Sequence, residues 1–181
     1  GGIAVHKTPG KLSSLVQALA GVAPQGTSGI GHTRWATHGI PNMVNAHPHT
    51  DCKGEVAIVH NGIVENCRQL KEELGKEGHR FESETDSEVV AHIIEGYLES
   101  GLPFAEAVRR TAHRLDGASA IVAMHAEEPD TFVVFRLGNA GGITVGYGDG
   151  AMLVASDLPA MLPQTNRVVF LAPGELVKVT R

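Results

Sequence analysis

Apolar residues recur along this chain at two spacings, one typical of helices and the other of buried strands. Residues 12–19 place leucines three or four positions apart, so we expect a helix there that ends near Gly21. The same spacing predicts three further helices, over residues 66–77, 86–99 and 103–115. The pattern Thr85-x-x-Glu88 at the start of the second of these is a capping box, which favours a helix start at that point.

Strands are predicted where apolar runs are short and continuous. Val56-Ala57-Ile58-Val59 is apolar on both faces, as in a strand packed between two layers. The other predicted strands are residues 2–5, 29–34, 118–125, 131–137, 142–146, 151–155, 167–171 and 175–180, with a short helical turn at 157–162 and a long loop at 39–55. This mixture predicts an α+β layered sandwich, but the pattern alone does not distinguish a two-layer from a four-layer arrangement.

The composition argues against two classes of function, nucleic-acid binding and membrane spanning. The chain has 181 residues, which suits one domain over residues 1–181, and its net charge is −5 with lysines and arginines scattered. A nucleic-acid partner would require a basic stripe, and a membrane span about 18 consecutive apolar residues, so we expect neither partner. Two cysteines, Cys52 and Cys67, are too few for a disulfide framework, and we expect a cytoplasmic location.

Residues in three polar segments could bind a ligand that has a carboxylate, an ammonium group and an amide. Arg34 can grip a carboxylate through two parallel hydrogen bonds, and Asp86 can bind an ammonium group. Asn61 and Gly62 can offer two N–H donors to an oxyanion. Two plainer interpretations stay open from the residues alone. Asp86 could simply occupy the first turn of a helix, and Asn-Gly could form a hairpin turn.

The runs that contain these residues resemble a known family. They are Thr-Arg-Trp-Ala-Thr-His-Gly at 33–39, Asn-Ala-His-Pro-His at 45–49, His-Asn-Gly-Ile-Val-Glu-Asn at 60–66 and Ser-Glu-Thr-Asp at 83–86. They resemble the glutaminase (class II glutamine amidotransferase) domain of glucosamine-6-phosphate synthases. The resemblance implies a four-layer αββα sandwich of the N-terminal-nucleophile hydrolase type.

The resemblance also implies roles for individual residues. Arg34 and Asp86 would bind the α-carboxylate and α-ammonium of glutamine, and Asn61 with Gly62 would form the oxyanion hole. Thr37 and His38 would line the glutamine pocket. Trp35 would gate the passage to the sugar site, although a core aromatic is the plainer interpretation of a single tryptophan.

The implied reaction is glutamine hydrolysis, with ammonia passed to fructose 6-phosphate to make glucosamine 6-phosphate. The sugar step would occur in a C-terminal isomerase domain outside this chain, in a protein that is a homodimer at full length. The family attacks glutamine with an N-terminal cysteine, whereas this chain begins with Gly1, so we expect it to lack the catalytic segment and to be inactive as given. A domain that senses glutamine without cleaving it is the alternative.

Histidines raise a further alternative, because five of the ten lie between His32 and His60. His47-x-His49 could chelate zinc with His38 or His60 as a third ligand, as in a metal-dependent hydrolase. A histidine pair in a loop is more often engaged in hydrogen bonds. We therefore expect no metal and no cofactor.

Overall fold

The structure is a computed structural model that describes residues 2–22, 24–34 and 40–180. Its helices are α1 (Leu12–Leu19), α2 (Cys67–Glu77), α3 (Glu88–Glu99) and α4 (Phe104–Ala112). Its strands are β1 (His49–Thr50), β2 (Val56–Gly62), β3 (Ser119–His125), β4 (Thr131–Leu137), β5 (Thr144–Tyr147), β6 (Met152–Ala155), β7 (Val168–Phe170) and β8 (Leu176–Thr180). Leu158–Ala160 form a 3-10 helix at the predicted helical turn.

Two antiparallel sheets are built from these strands. The larger has the order β1-β2-β3-β4-β8 and the smaller the order β6-β5-β7. Strand β2 lies inside the larger sheet, and its residues Val56 to His60 are buried, as its unbroken apolar run predicts. Its register with β3 places Asn61 opposite Ala120 and Gly62 opposite Ser119.

Two apolar cores separate the layers. Helices α2, α3 and α4 cover one face of the larger sheet, with side chains such as Leu74, Ile94 and Phe104 in that core. The second core contains Val145 of β5 and Val179 of β8, and so lies between the two sheets. The layer order helix–sheet–sheet confirms the predicted α+β sandwich and brings the carboxyl end of β2 close to the start of α3.

Two predicted strands, residues 2–5 and 29–34, are not strands in the structure. A strand needs a neighbour to complete its backbone hydrogen bonds. Along the outer edge of β2, β1 pairs only with Ala57 and Ile58. Further along that edge, the His60 N–H donates to Nδ1 of the His47 ring at 3.2 Å, so a side chain takes the place of a strand.

The predicted capping box is also absent. Helix α3 begins at Glu88, and its N-cap residue Ser87 makes no capping hydrogen bond with its side chain. The Glu88 carboxylate reaches back instead and accepts the backbone N–H groups of Glu82 at 2.8 Å and Ser83 at 2.7 Å. These bonds hold the segment before the helix in a non-helical path, which carries Asp86. No helix in the described residues is long and apolar enough to cross a membrane.

Candidate functional site

A cavity of about 310 Å³ lies at the carboxyl end of β2. Four of the predicted site residues line it, namely Arg34, Asn61, Gly62 and Asp86. The remaining lining residues are His32, His47, His60, Ile63, Thr85 and Ser87. The predicted pocket residues Trp35, Thr37 and His38 lie outside the described residues.

Asn61 and Gly62 are the last two residues of β2, so the hairpin interpretation of Asn-Gly is wrong. Gly62 has φ of +134°, and a Cβ at this position would collide with the carbonyl oxygen of Ala118 on the neighbouring chain segment. Only glycine fits here without strain. The next N–H, that of Ile63, donates to the same Ala118 oxygen at 2.9 Å, which fixes the chain as it leaves the strand.

The Asn61 side chain is oriented by a histidine. Nε2 of His32 lies 2.8 Å from Oδ1 of Asn61. Because the amide oxygen accepts this hydrogen bond, the amide nitrogen of Asn61 remains the donor on the other side of the group. The His32 ring is itself stacked on His47, with ring centroids 4.4 Å apart. Neither contact is visible in the sequence, since the three residues are separated along the chain.

Asp86 lies two residues before Glu88, the first residue of α3, and so just outside the first turn of the helix. Its side chain is buried, and Oδ2 accepts the Val64 N–H at 2.8 Å. The Ser87 hydroxyl contacts the other carboxylate oxygen at 3.4 Å. The bond to Val64 joins the segment before α3 to the chain just beyond Gly62, and so sets the acid relative to the Asn-Gly pair.

Arg34 places a positive charge at the same cavity as the Asp86 carboxylate. Its Nη1 donates to the Ile40 carbonyl at 3.3 Å, which ties it to the start of the loop that carries the Asn-Ala-His-Pro-His run. It also borders a second cavity of about 450 Å³, lined in part by Leu12 and Leu15 of α1. A cation and an anion in one cavity complement a ligand that carries both charges, such as an α-amino acid.

Three histidines at or near the cavity, His47, His49 and His60, are uncharged at neutral pH. Burial lowers the pKa of His47 to about 2, and nearby histidines act in the same direction. Burial also lowers the pKa values of His49 and His60 to about 4. These three rings therefore position groups by hydrogen bonds and stacking, and they add no positive charge beside Arg34.

Hydrogen bonds that the sequence does not signal complete this cluster. The His60 ring lies between two hydroxyls, with Nδ1 at 2.9 Å from Ser87 Oγ and Nε2 at 3.1 Å from Ser119 Oγ. Nε2 of His49 lies 3.1 Å from Thr85 Oγ1. Among the described residues, His47, His49 and His60 do not bring three metal-binding atoms close together, and His38 lies outside the described residues.

Neither cysteine lines the 310 Å³ cavity. Cys52 follows β1, and Cys67 is the first residue of α2. Burial raises the pKa of the Cys52 thiol, and the nearby Glu95 carboxylate acts in the same direction, so this thiol is a poor nucleophile at neutral pH. Neither cysteine is therefore placed to attack a ligand in this cavity.

Comparison with known proteins shows which family the chain matches. A family model described as a glutamine amidotransferase domain matches residues 32–163, more than half of the chain. Glutamine–fructose-6-phosphate aminotransferase (isomerizing) from Thermococcus kodakarensis is 48% identical over 177 residues, which are 98% of this chain and 29% of that protein. The enzyme of the same name from Aquifex aeolicus is 48% identical over 180 residues, covering 99% of this chain and 30% of that protein. The chain thus spans less than a third of these relatives.

A solved structure shares the fold. Glutamine phosphoribosylpyrophosphate amidotransferase from B. subtilis superposes with a TM-score of 0.67 and 27% identity, over 82% of this chain and 32% of that one. This likeness confirms the αββα sandwich of N-terminal-nucleophile amidotransferases that the resemblance implies. The described helices α2–α4 and the two sheets supply three of its layers.

Proposed function

Because the chain belongs to the glutamine amidotransferase domain family, we propose that glutamine binds in the 310 Å³ cavity and is hydrolysed there to glutamate and ammonia. One observation carries the proposal. Arg34, Asp86 and the Asn61-Gly62 pair, which come from three separate segments of the chain, line the same cavity. Together they offer one partner for each polar group of glutamine.

The two charged residues would hold the amino-acid end of glutamine. The planar guanidinium of Arg34 matches a carboxylate with two parallel hydrogen bonds, which a lysine cannot provide. The Asp86 carboxylate would accept the α-ammonium, since its Oδ2 is already fixed by the Val64 N–H and its position does not depend on the ligand. Pre-positioned charges avoid the cost of ordering flexible side chains on binding.

Asn61 and Gly62 would stabilise the reaction at the other end of the substrate. Attack on the side-chain amide turns its carbonyl oxygen into an oxyanion, and preorganised donors lower the energy of that state. The amide nitrogen of Asn61, turned by His32, and the backbone N–H of Gly62 are the proposed donors. We assign Thr37, His38 and Trp35 to the remaining wall of the pocket, from their match to the family run.

The attacking thiol is assigned by resemblance to an N-terminal cysteine of the full-length protein, because Cys52 and Cys67 do not line the cavity. An N-terminal residue can act with its own α-amine as base, which accounts for the lack of a separate base in the proposal.

As a one-domain unit over residues 1–181, the chain would supply ammonia to a C-terminal isomerase domain that converts fructose 6-phosphate to glucosamine 6-phosphate. We further propose a cytoplasmic homodimer. The names of the relatives support the sugar step, the two free cysteines agree with the cytoplasmic location, and the homodimer rests on the resemblance alone.

The experiment is to treat the full-length protein with an electrophilic analogue of glutamine and to map adducts by intact mass and peptide analysis. We expect one adduct, on an N-terminal cysteine, that glutamine prevents. Arg34→Ala should slow labelling strongly, whereas Arg68→Ala, an exposed arginine on α2, should not. An adduct on Cys52 or Cys67 would contradict the assigned nucleophile. Glutamine binding without any adduct would mean that the domain senses glutamine and does not cleave it.

A further inference from the structure

Four side chains with metal-binding atoms converge on the helical side of the larger sheet, away from the cavity. They are Cys52, just after β1, His79, in the connection between α2 and α3, and His92 and Glu95 of α3. One ligand atom from each lies within 4.8 Å of all the others. In the described residues this is the one group of three or more such side chains that meets that condition.

The separations between these atoms suit a small tetrahedral ion. The Cys52 Sγ lies 3.9 Å from His79 Nδ1 and 3.6 Å from His92 Nδ1. The Glu95 Oε2 lies 2.8 Å from the first of these nitrogens and 3.2 Å from the second. Zinc bound at its usual distances to sulfur, nitrogen and oxygen places its ligands roughly 3.3–3.6 Å apart. Shifts of a few tenths of an ångström would therefore complete the site.

The atoms around the four ligands are those expected of a metal site. Nε2 of His92 is buried and has no hydrogen bond, but it faces Glu88 Oε1 at 3.6 Å. A histidine that binds metal through one nitrogen commonly directs the other toward a carboxylate in this way. The Arg80 backbone N–H donates to Cys52 Sγ at 3.4 Å, which would stabilise a thiolate. His92 and Glu95 are buried, His79 is partly buried and Cys52 is exposed, so a bound ion would lie at the edge of the helical core with Cys52 on its solvent side.

We propose that Cys52, His79, His92 and Glu95 bind one zinc ion, which goes beyond the proposed glutaminase function. One thiolate, one carboxylate and two neutral imidazoles balance the two positive charges of zinc and fill its four positions, as in structural rather than catalytic zinc sites. The ion would tie the end of β1 to α3 and to the connection before it. That connection includes Asp86, so the metal would stabilise the segment that carries the proposed ammonium partner.

Zinc content is the first test, on full-length protein freed of metal and then dialysed against buffered zinc. We expect one zinc per chain in the wild type and in Cys67→Ser, which alters the other cysteine. Cys52→Ser should bind zinc at least about tenfold more weakly. Removing a group that only orients a metal ligand already lowers metal affinity by about tenfold or more, and loss of a ligand should cost at least as much. His79→Asn should behave in the same way, with the exposed His113→Asn as its control.

Cobalt substitution locates the metal by spectroscopy, and circular dichroism verifies that each variant is folded. We expect Co²⁺ in the wild type to show the intense visible bands of tetrahedral coordination together with a thiolate charge-transfer band. Folded Cys52→Ser should lose the charge-transfer band, whereas Cys67→Ser should keep it. No stoichiometric zinc in the wild type, or equal zinc and the same cobalt spectrum in folded Cys52→Ser, would overturn the proposal.

Discussion

Nε2 of His32 lies 2.8 Å from the amide oxygen of Asn61, although the two residues are 29 positions apart. The bond determines which end of the Asn61 amide is free to donate. His32 is held in turn by stacking on His47, whose Nδ1 accepts the His60 N–H. Residues before β2 and residues within it therefore fix the orientation of one proposed oxyanion donor.

His32→Ala should lower kcat for glutamine hydrolysis by about tenfold, because one net hydrogen bond of about 1.4 kcal/mol orients the donor. The substitution leaves the charged partners of glutamine in place, so KM should change little. Steady-state assays of the full-length protein test this split. A raised KM with an unchanged kcat would mean that His32 contacts the substrate and does not orient Asn61.

Asn61→Ala should lower kcat by about 10²–10³, the usual result of removing one oxyanion donor. The double variant with His32→Ala should be no slower than Asn61→Ala alone, because His32 acts through Asn61. Asn166→Ala, an exposed asparagine elsewhere, serves as the control. A loss below tenfold in Asn61→Ala would exclude the oxyanion role.

The proposed oxyanion pair and ammonium partner could be predicted from the sequence because their motifs are local. Asn61-Gly62 follows an apolar run whose strand character is evident, and Asp86 lies in a short run before a helical pattern. The contacts that orient Asn61 and Asp86 could not be predicted from the sequence, because His32 and Val64 are distant from these residues along the chain. Such pairings depend on tertiary packing, which spacing along the chain does not encode.

In the fold, too, elements with a strong local pattern could be predicted, whereas features that depend on tertiary contacts could not. Helices α2 to α4 and strands β2 to β4 agree with the predicted ranges within a few residues, because each has a strong apolar period. Residues 29–34 are predicted as a strand, yet the edge of β2 beyond β1 is taken by the His47 ring. The zinc ligands were also missed, since Cys52, His79 and the α3 pair match no familiar spacing.

Arg34→Lys should raise KM for glutamine at least about tenfold, since an ammonium replaces two charge-assisted hydrogen bonds with one. The effect on kcat should be small, because the carboxylate is bound equally in the ground state and the transition state. Glutamine titration of the full-length enzyme measures both parameters. An unchanged KM would show that another cation binds the carboxylate.

Gly62→Ala should destabilise the domain by about 2–4 kcal/mol, because the new Cβ meets the Ala118 carbonyl and the φ of +134° is strained for alanine. Gly54→Ala is a matched control, since Gly54 also has a positive φ, of +69°, but its Cβ would point into open space. Urea unfolding separates the two contributions. Equal losses in the two variants would mean that strain alone matters and that β3 does not crowd Gly62.

Stability should fall as the pH drops from 6.5 toward 4.5. Burial lowers the pKa of His49 and of His60 to about 4 and that of His47 to about 2, so in this range the unfolded chain takes up protons that the folded chain does not. Below the unfolded-state pKa of about 6.5, each proton that only the unfolded chain takes up favours unfolding. His49 alone should lower the free energy of unfolding by about 2 kcal/mol at pH 4.5. Urea unfolding at several pH values measures the slope.

Two further shifted groups, Glu88 and His92, act outside this window. Burial favours a higher pKa for Glu88, but the nearby His92 ring and a hydrogen bond from Ser83 lower it to about 2, so its contribution is lost only below its unfolded value of 4.5. Burial lowers the pKa of His92, but Glu88 and Glu95 raise it overall, so its contribution is lost only above pH 6.5. His49→Gln keeps a hydrogen-bonding side chain near Thr85 that does not titrate, so it should flatten the dependence of unfolding free energy on pH. His113→Gln, at an exposed position, is the control and should leave that dependence unchanged. A slope that His49→Gln leaves unchanged would assign the pH dependence to other groups, because burial of neutral His49 is its expected source.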